Sequence, residues 1–168
     1  KLKLMNTDSE LIKKEISILQ KMGVKMKIGK NFIEVYKTKN IKNINVKTEP
    51  YPGFPTDLQA QIIILMTQAN GLSKIKESIF ENRFMHVPEL KRMGAKIEVL
   101  NKTAYIHGPC ILTGAEVMAT DLRASVSLVL AALIADKRTT INRIYHLDRG
   151  YQDLEKKLIN CKAQIKRV

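Results

Sequence analysis

Tryptophan is absent from this 168-residue chain, and phenylalanine and tyrosine bring the aromatic share to only 5%. Recognition of single-stranded nucleic acid leans on aromatic platforms for base stacking, and no stacking motif is present. Cysteine is equally scarce: Cys110 and Cys161 make no disulfide framework and suit a reducing, cytoplasmic compartment. Neither has metal-ligand spacing to His86, His107 or His146. The most apolar run, Ser125–Ala135, is too short to span a bilayer. No Gly-rich phosphate loop and no Ser-His-Asp arrangement is visible. The expectation is a protein with no metal, no cofactor and no membrane partner. The text opens on Lys1 in what reads as a strand, without a charged-then-apolar leader, and is expected to be a fragment of a longer protein.

What the chain does have is positive charge and a normal apolar content. Lysine and arginine number 29 against 16 acids, a net charge of +13, and 45% of residues are hydrophobic. That content supports one compact domain with a sizeable core. The charge invites a basic, repeat-built RNA-binding or RNA-processing reading. However, the cations are spread along the chain with no block of five. Most lysines therefore read as solvated surface, with anion binding left to a few arginines and no nucleic-acid partner expected.

Self-similarity is the strongest signal. Thr56-Asp57-Leu58-Gln59-Ala60-Gln61 recurs as Thr120-Asp121-Leu122-Arg123-Ala124-Ser125, and each copy opens a long apolar segment. A β-like run follows each, Ser73–Ile79 and Thr139–Ile144. A second unit occurs three times, Leu19–Met26, Leu90–Ile97 and Leu158–Ile165. The third copy has Lys162 where the others have Gly23 and Gly94, and places Cys161 where the others put the core residues Met22 and Met93. Thr7-x-x-Glu10 reads as a capping box opening a helix with Leu11, Ile12, Ile16, Leu19 and Met22 on one side. Alternating runs around Gly29-Lys30-Asn31 and Asn101-Lys102 read as hairpins. Third strands follow, roughly Ile41–Thr48 and Glu116–Ala119. The result is a βαβαββ-like module used about two and a half times, with units at about 1–56, 57–120 and 121–168. No single module buries its apolar helix alone, so the copies should share a helical core. The expected class is α/β, an inside-out repeat-built arrangement with helices inside and sheets outside.

Pro52-Gly53-Phe54-Pro55-Thr56-Asp57 is the segment richest in chemical meaning. Prolines and glycine make a rigid approach to a helix start, where Thr56 would cap and Asp57 would complement the helix dipole. Ordinary capping explains an isolated Thr-Asp pair. The rigid approach and the second copy favour a carboxylate held to take a proton from a hydroxyl. Arg83 and Arg149 follow equivalent strands. They read either as exposed strand-end cations or as bidentate grips for carboxylate or phosphate, with Asp148 orienting or neutralising Arg149. Cys110 reads as a loop thiol with no activating base.

Taken together, Phe54–Gln61, Ile79–His86, Ala119–Ser125 and Asp148-Arg149-Gly150-Tyr151 resemble the UDP-N-acetylglucosamine 1-carboxyvinyltransferases in order and spacing along nearly the whole chain. The resemblance implies two domains, each an inside-out α/β barrel of three βαβαββ repeats, with this chain lacking the N-terminal domain and much of the first repeat. It implies a site in the cleft between domains and two substrates, UDP-N-acetylglucosamine and phosphoenolpyruvate. By position, Asp57 deprotonates the sugar 3-hydroxyl and Ile79 meets the nucleotide sugar through its backbone. Arg149 binds phosphoenolpyruvate, and Asp121 acts near the reacting methylene with Arg123 alongside. Thr56, Phe80, Glu81 and Arg83 complete the expected binding set. The family's reactive cysteine and N-terminal lysine have no counterpart here, so the isolated chain is expected not to turn over. The shikimate-pathway enolpyruvyl transferase is the nearest alternative, but its pattern is not seen in Pro55–Gln61 or Phe80–Arg83.

Overall fold

The structure, a computed structural model, describes all 168 residues. The first unit runs β1 (Leu2–Met5), a 3₁₀ turn at Ser9–Ile12, α1 (Lys13–Lys21), β2 (Met26–Gly29) and β3 (Phe32–Val35). Asp8, not Thr7, caps the turn by accepting a hydrogen bond from the Glu10 N–H at 2.9 Å. The expected capping box is therefore absent. Because the chain enters through a 3₁₀ turn, Leu11 rotates off the apolar face and is exposed, while Ile16, Ile18 and Met22 stay buried. Gly23 ends α1 in the left-handed conformation, φ +89°.

Next come β4 (Ile41–Lys42) and β5 (Asn45–Lys47), then α2 (Gln59–Thr67), β6 (Ala69–Lys76) and α3 (Val87–Arg92). The single strand expected over Ile41–Thr48 is interrupted because side chains substitute for the ladder. Asn43 donates to the Leu72 carbonyl at 2.9 Å, and the Ile44 N–H goes to the Ser73 hydroxyl at 3.3 Å. The hairpin β7 (Lys96–Leu100) and β8 (Thr103–Gly108) turns at Asn101 with φ +55°. The chain continues through β9 (Glu116–Met118), α4 (Leu122–Ile134), β10 (Thr140–Asn142), α5 (Tyr145–Asp148) and α6 (Leu154–Asn160).

The class is α/β, as expected, with helices inside and sheets outside. α2 and α4 are apolar all round, and both are largely buried where they pack on each other. Ile63, Met66 and Leu128 are fully enclosed. The strands form three separate sheets, β1-β3-β2, β10-β9, and β4-β6-β8-β7 with β5 also on β6, and no barrel closes within the chain. β6 is parallel to β4 and β5 but antiparallel to β8, so the residues beyond its end lie beside the strand that leads into α2.

Cys161 is exposed rather than in the core. Met93 shares the core with Ile97, Ala104 and Ile106 of the hairpin after its helix and Met22 is likewise in the core, whereas residues 161–168 form no strand beside α6. Lys162 nonetheless keeps the left-handed backbone of its glycine counterparts, φ +70°. Cys110 is buried in the main core, its Sγ 3.4 Å from the Lys96 backbone nitrogen. No helix is long and apolar enough to cross a membrane.

Candidate functional site

The approach to α2 is built by packing and close contact. Phe54 is 2% exposed and anchors the loop in the core. A Cβ on Gly53 would meet the Pro50 carbonyl at 2.9 Å, so glycine is needed for the turn. Pro55, extended at φ −71°, delivers a 3₁₀ turn over Thr56–Leu58 before α2 begins.

Here the two Thr-Asp copies part company. Asp121 caps α4, its Oδ1 accepting from the N–H groups of Arg123 at 2.8 Å and Ala124 at 3.0 Å. Thr56 and Asp57 do no capping. The Thr56 hydroxyl donates to Glu77 Oε2 at 2.9 Å, so its expected role as helix cap is corrected. The Asp57 carboxylate reaches sideways instead. Arg123 Nε donates to its Oδ1 at 2.5 Å, and Arg83 Nη1 lies 3.9 Å from the same oxygen. The starts of α2 and α4 are thus bridged by an acid from one repeat and a base from the other. The Asp57 side chain remains 63% exposed, which leaves it reachable by a ligand.

Arg83 arrives from the corner after β6, where Asn82 takes φ +55°. Its guanidinium stacks over the Phe80 ring at 4.3 Å. Phe80 is half exposed and Arg83 largely buried. A cavity of about 440 Å³ opens beside them, with Glu77 and Lys102 also in its lining. The Ile79 N–H is taken by Glu77 Oε1 at 2.9 Å, so toward a ligand Ile79 can offer its carbonyl oxygen but not its N–H. Glu81 points outward to Lys102 Nζ at 3.3 Å and joins no part of the carboxylate–arginine cluster.

The structure therefore brings together Thr56, Asp57, Ile79, Phe80, Arg83, Asp121 and Arg123. Arg149 is exposed at the end of α5 and forms no ion pair with Asp148. Asp148 is held in a two-armed pair by Arg167, at 2.6 and 3.0 Å, and the hydrogen bonds from that guanidinium keep its carboxyl below the usual carboxylate range. The expectation that Asp148 orients or neutralises Arg149 is thereby corrected. The next residue, Gly150, lies against Leu122 at the start of α4, where a Cβ would approach the Leu122 side chain to 2.9 Å.

Two residues of the site escaped sequence reasoning. Glu77 is 1% exposed yet ionisable. It follows the buried Ser73 and Ile75 in the inward register of its strand, and an acid on an inward position is the signal that marks it. Burial pushes its pKa up, but hydrogen bonds from Ile79, Thr48, Thr56 and Phe80 outweigh that and hold it below the usual value. His86, also buried, has its pKa lowered to about 4 by desolvation, partly opposed by the charge of Asp121. Its Nε2 has no hydrogen-bond partner, nor does the buried hydroxyl of Thr120.

The chain is thus a repeat-built α/β fold in which a carboxylate and two guanidiniums join the starts of two helices. A match to known families narrows this. Residues 1–158 fit the family model of EPSP synthase (3-phosphoshikimate 1-carboxyvinyltransferase), and the chain belongs to that family. Among curated relatives, the UDP-N-acetylglucosamine 1-carboxyvinyltransferase of Pelagibacter ubique (strain HTCC1062) is 59% identical over 167 residues, 99% of this chain and 40% of its own length. That of Thermodesulfovibrio yellowstonii (strain ATCC 51303 / DSM 11347 / YP87) is 60% identical over 146 residues, 87% of this chain and 35% of its own. The crystal structure of the enolpyruvyl transferase NikO from Streptomyces tendae superposes with a TM-score of 0.92 at 30% identity, over 99% of this chain and 40% of that one. EPSP synthase from Acinetobacter baumannii shares the fold alone, with a TM-score of 0.58 at 14% identity, 75% of this chain and 31% of that one. The chain thus spans about two fifths of the length of the curated relatives it matches.

Proposed function

We propose that the longer protein to which this chain belongs transfers the enolpyruvyl group of phosphoenolpyruvate to the 3-hydroxyl of UDP-N-acetylglucosamine, releasing phosphate, in the cytoplasmic synthesis of peptidoglycan precursors. The observation that carries this reading is 59% identity, across 99% of the chain, to a protein of that name. The 14% identity to EPSP synthase gives the shikimate alternative no comparable support. The repeat boundaries near 57 and 121 follow from the two Thr-Asp units, and an N-terminal domain of the same protein supplies the rest of the site.

The chemistry assigns roles as follows. Asp57 takes the proton of the sugar hydroxyl, and its exposed carboxylate held by Arg123 and Arg83 supports this. The hydroxyl oxygen then bonds to C2 of phosphoenolpyruvate while C3 gains a proton, giving a tetrahedral phospho-ketal. Loss of phosphate from C2 and of a proton from C3 restores the double bond as an enol ether. Asp121 serves the proton at C3: its Oδ1 is engaged by the helix start, leaving Oδ2 for this work. Arg149 binds the phosphoenolpyruvate anion, and its freedom from internal partners suits it to that task. Thr56, Ile79, Phe80, Glu81 and Arg83 form the nucleotide-sugar side. No cofactor enters the scheme.

The test is phosphate release by the full-length protein, with UDP-N-acetylglucosamine or shikimate 3-phosphate as acceptor, for wild type and Asp57→Ala. Release with the nucleotide sugar alone, lost in the variant, is expected. A folded protein that releases phosphate with neither acceptor, and binds polyanions in a steeply salt-dependent way, would refute the reading in favour of nucleic-acid binding.

A further inference from the structure

Glu77 is a buried carboxylate that forms no salt bridge, an expensive arrangement unless hydrogen bonds satisfy the charge. Four donors do so, and they come from three separate pieces of chain. Thr48, just past β5, donates its hydroxyl to Oε1 at 2.8 Å. The backbone N–H groups of Ile79 and Phe80 reach the same oxygen at 2.9 and 3.2 Å. The Thr56 hydroxyl takes Oε2 at 2.9 Å. Thr48 is fixed in turn, accepting from the Ser78 N–H at 2.9 Å, and the Glu77 N–H is anchored to the Lys102 carbonyl at 2.8 Å.

One carboxylate thus joins the turn carrying Asp57 to the corner carrying Ile79, Phe80 and Arg83. Thr56 is the residue before Asp57, and Arg83 is one of the two cations that meet Asp57. We propose that Glu77 is a positioning residue that holds the Asp57 turn and the Ile79–Arg83 corner in one fixed register. The base and the backbone that meets the nucleotide sugar then stay aligned. This rests on the transferase reading above. Because Glu77 accepts four bonds and donates none, only an ionised carboxylate satisfies all four donors together. A neutral alanine leaves two hydroxyls and two N–H groups unpaired in a buried space.

The experiment compares full-length wild type with Glu77→Ala, Glu77→Gln, Thr56→Val and Thr56→Ser. For each, kcat and the two KM values are measured per correctly folded molecule, and hydrogen exchange is followed over residues 54–60 and 78–84. Glu77→Ala is expected to lower kcat by about 100-fold, the scale of a misplacement near 1 Å. KM for UDP-N-acetylglucosamine should rise while that for phosphoenolpyruvate holds, and both peptides should lose protection together. Glu77→Gln, which keeps the shape and one acceptor oxygen, should recover much of the loss. Thr56→Val should weaken kcat and Thr56→Ser restore it, and this pair decides the matter if the alanine variant fails to fold. A purely structural role would lower the folded fraction but leave the KM split and the serine rescue unmoved. Exchange in the two segments that changes independently, or not at all, overturns the proposal whichever acceptor the enzyme uses. Wild-type inactivity with UDP-N-acetylglucosamine, with the exchange coupling intact, would strike the transferase reading and spare the register.

Discussion

Replacing Asp121 separates the two jobs that one carboxylate can hold. Its Oδ1 satisfies two otherwise unpaired N–H groups at the start of a 13-residue helix. Asp121→Ala removes both bonds at a cost of about 1 kcal/mol, or up to about 2. Asparagine caps as well as aspartate, so Asp121→Asn loses only the carboxylate's attraction to the helix dipole, about 0.5 kcal/mol. At roughly 2–4 °C per kcal/mol for a domain of this size, Tm should fall by a few degrees for alanine and by about one for asparagine. Activity should not follow that order. If Asp121 handles the proton at C3, both variants lose about 10²–10⁴-fold in kcat, because neither carries a carboxylate. The assay is phosphate release by full-length variants alongside a thermal melt. An asparagine variant with wild-type kcat would reduce Asp121 to a cap and refute its place in the chemistry.

His86 gives the chain a pH-dependent stability with a definite sign. Its folded pKa of about 4 lies below the ordinary 6.5, so between those values the unfolded chain binds a proton that the folded chain refuses. Stability is full above pH 6.5 and falls as pH drops toward 4, by up to about 3 kcal/mol. Urea midpoints measured across this window should slope in wild type and flatten in His86→Phe. Lys162→Gly should stabilise α6. Relief of a left-handed lysine is worth about 1–2 kcal/mol, and the extra freedom of unfolded glycine returns about 0.5–1 of it. A net gain near 0.5 kcal/mol should appear as slower amide exchange in residues 154–160.

Periodicity and repetition carried much of the architecture. The apolar cores of α2 and α4, both hairpins, and the glycine stops at 23 and 94 follow from local rules of spacing and backbone freedom, which act within a few residues. At the two helix starts, the repeat points to Thr56, Asp57 and Asp121 and equally to Arg83 and Arg149, of which only Arg83 reaches the cluster, while Arg123 enters through the family resemblance alone. What those residues do with their side chains was not legible. The same Thr-Asp pair caps at Asp121 and reaches across at Asp57, and only beside Thr56 is a buried acid, Glu77, at hand to take the threonine hydroxyl. Asp57 meets Arg123 across 66 positions of sequence, and Asp148 turns from its neighbour Arg149 to Arg167. Cys161 stands exposed rather than in the core, and Glu77 is buried because three segments converge on it. The sequence by itself determined the elements, whose causes are local. Only the tertiary structure decided the pairings of charge and hydroxyl, because these depend on which distant groups packing brings within hydrogen-bond reach.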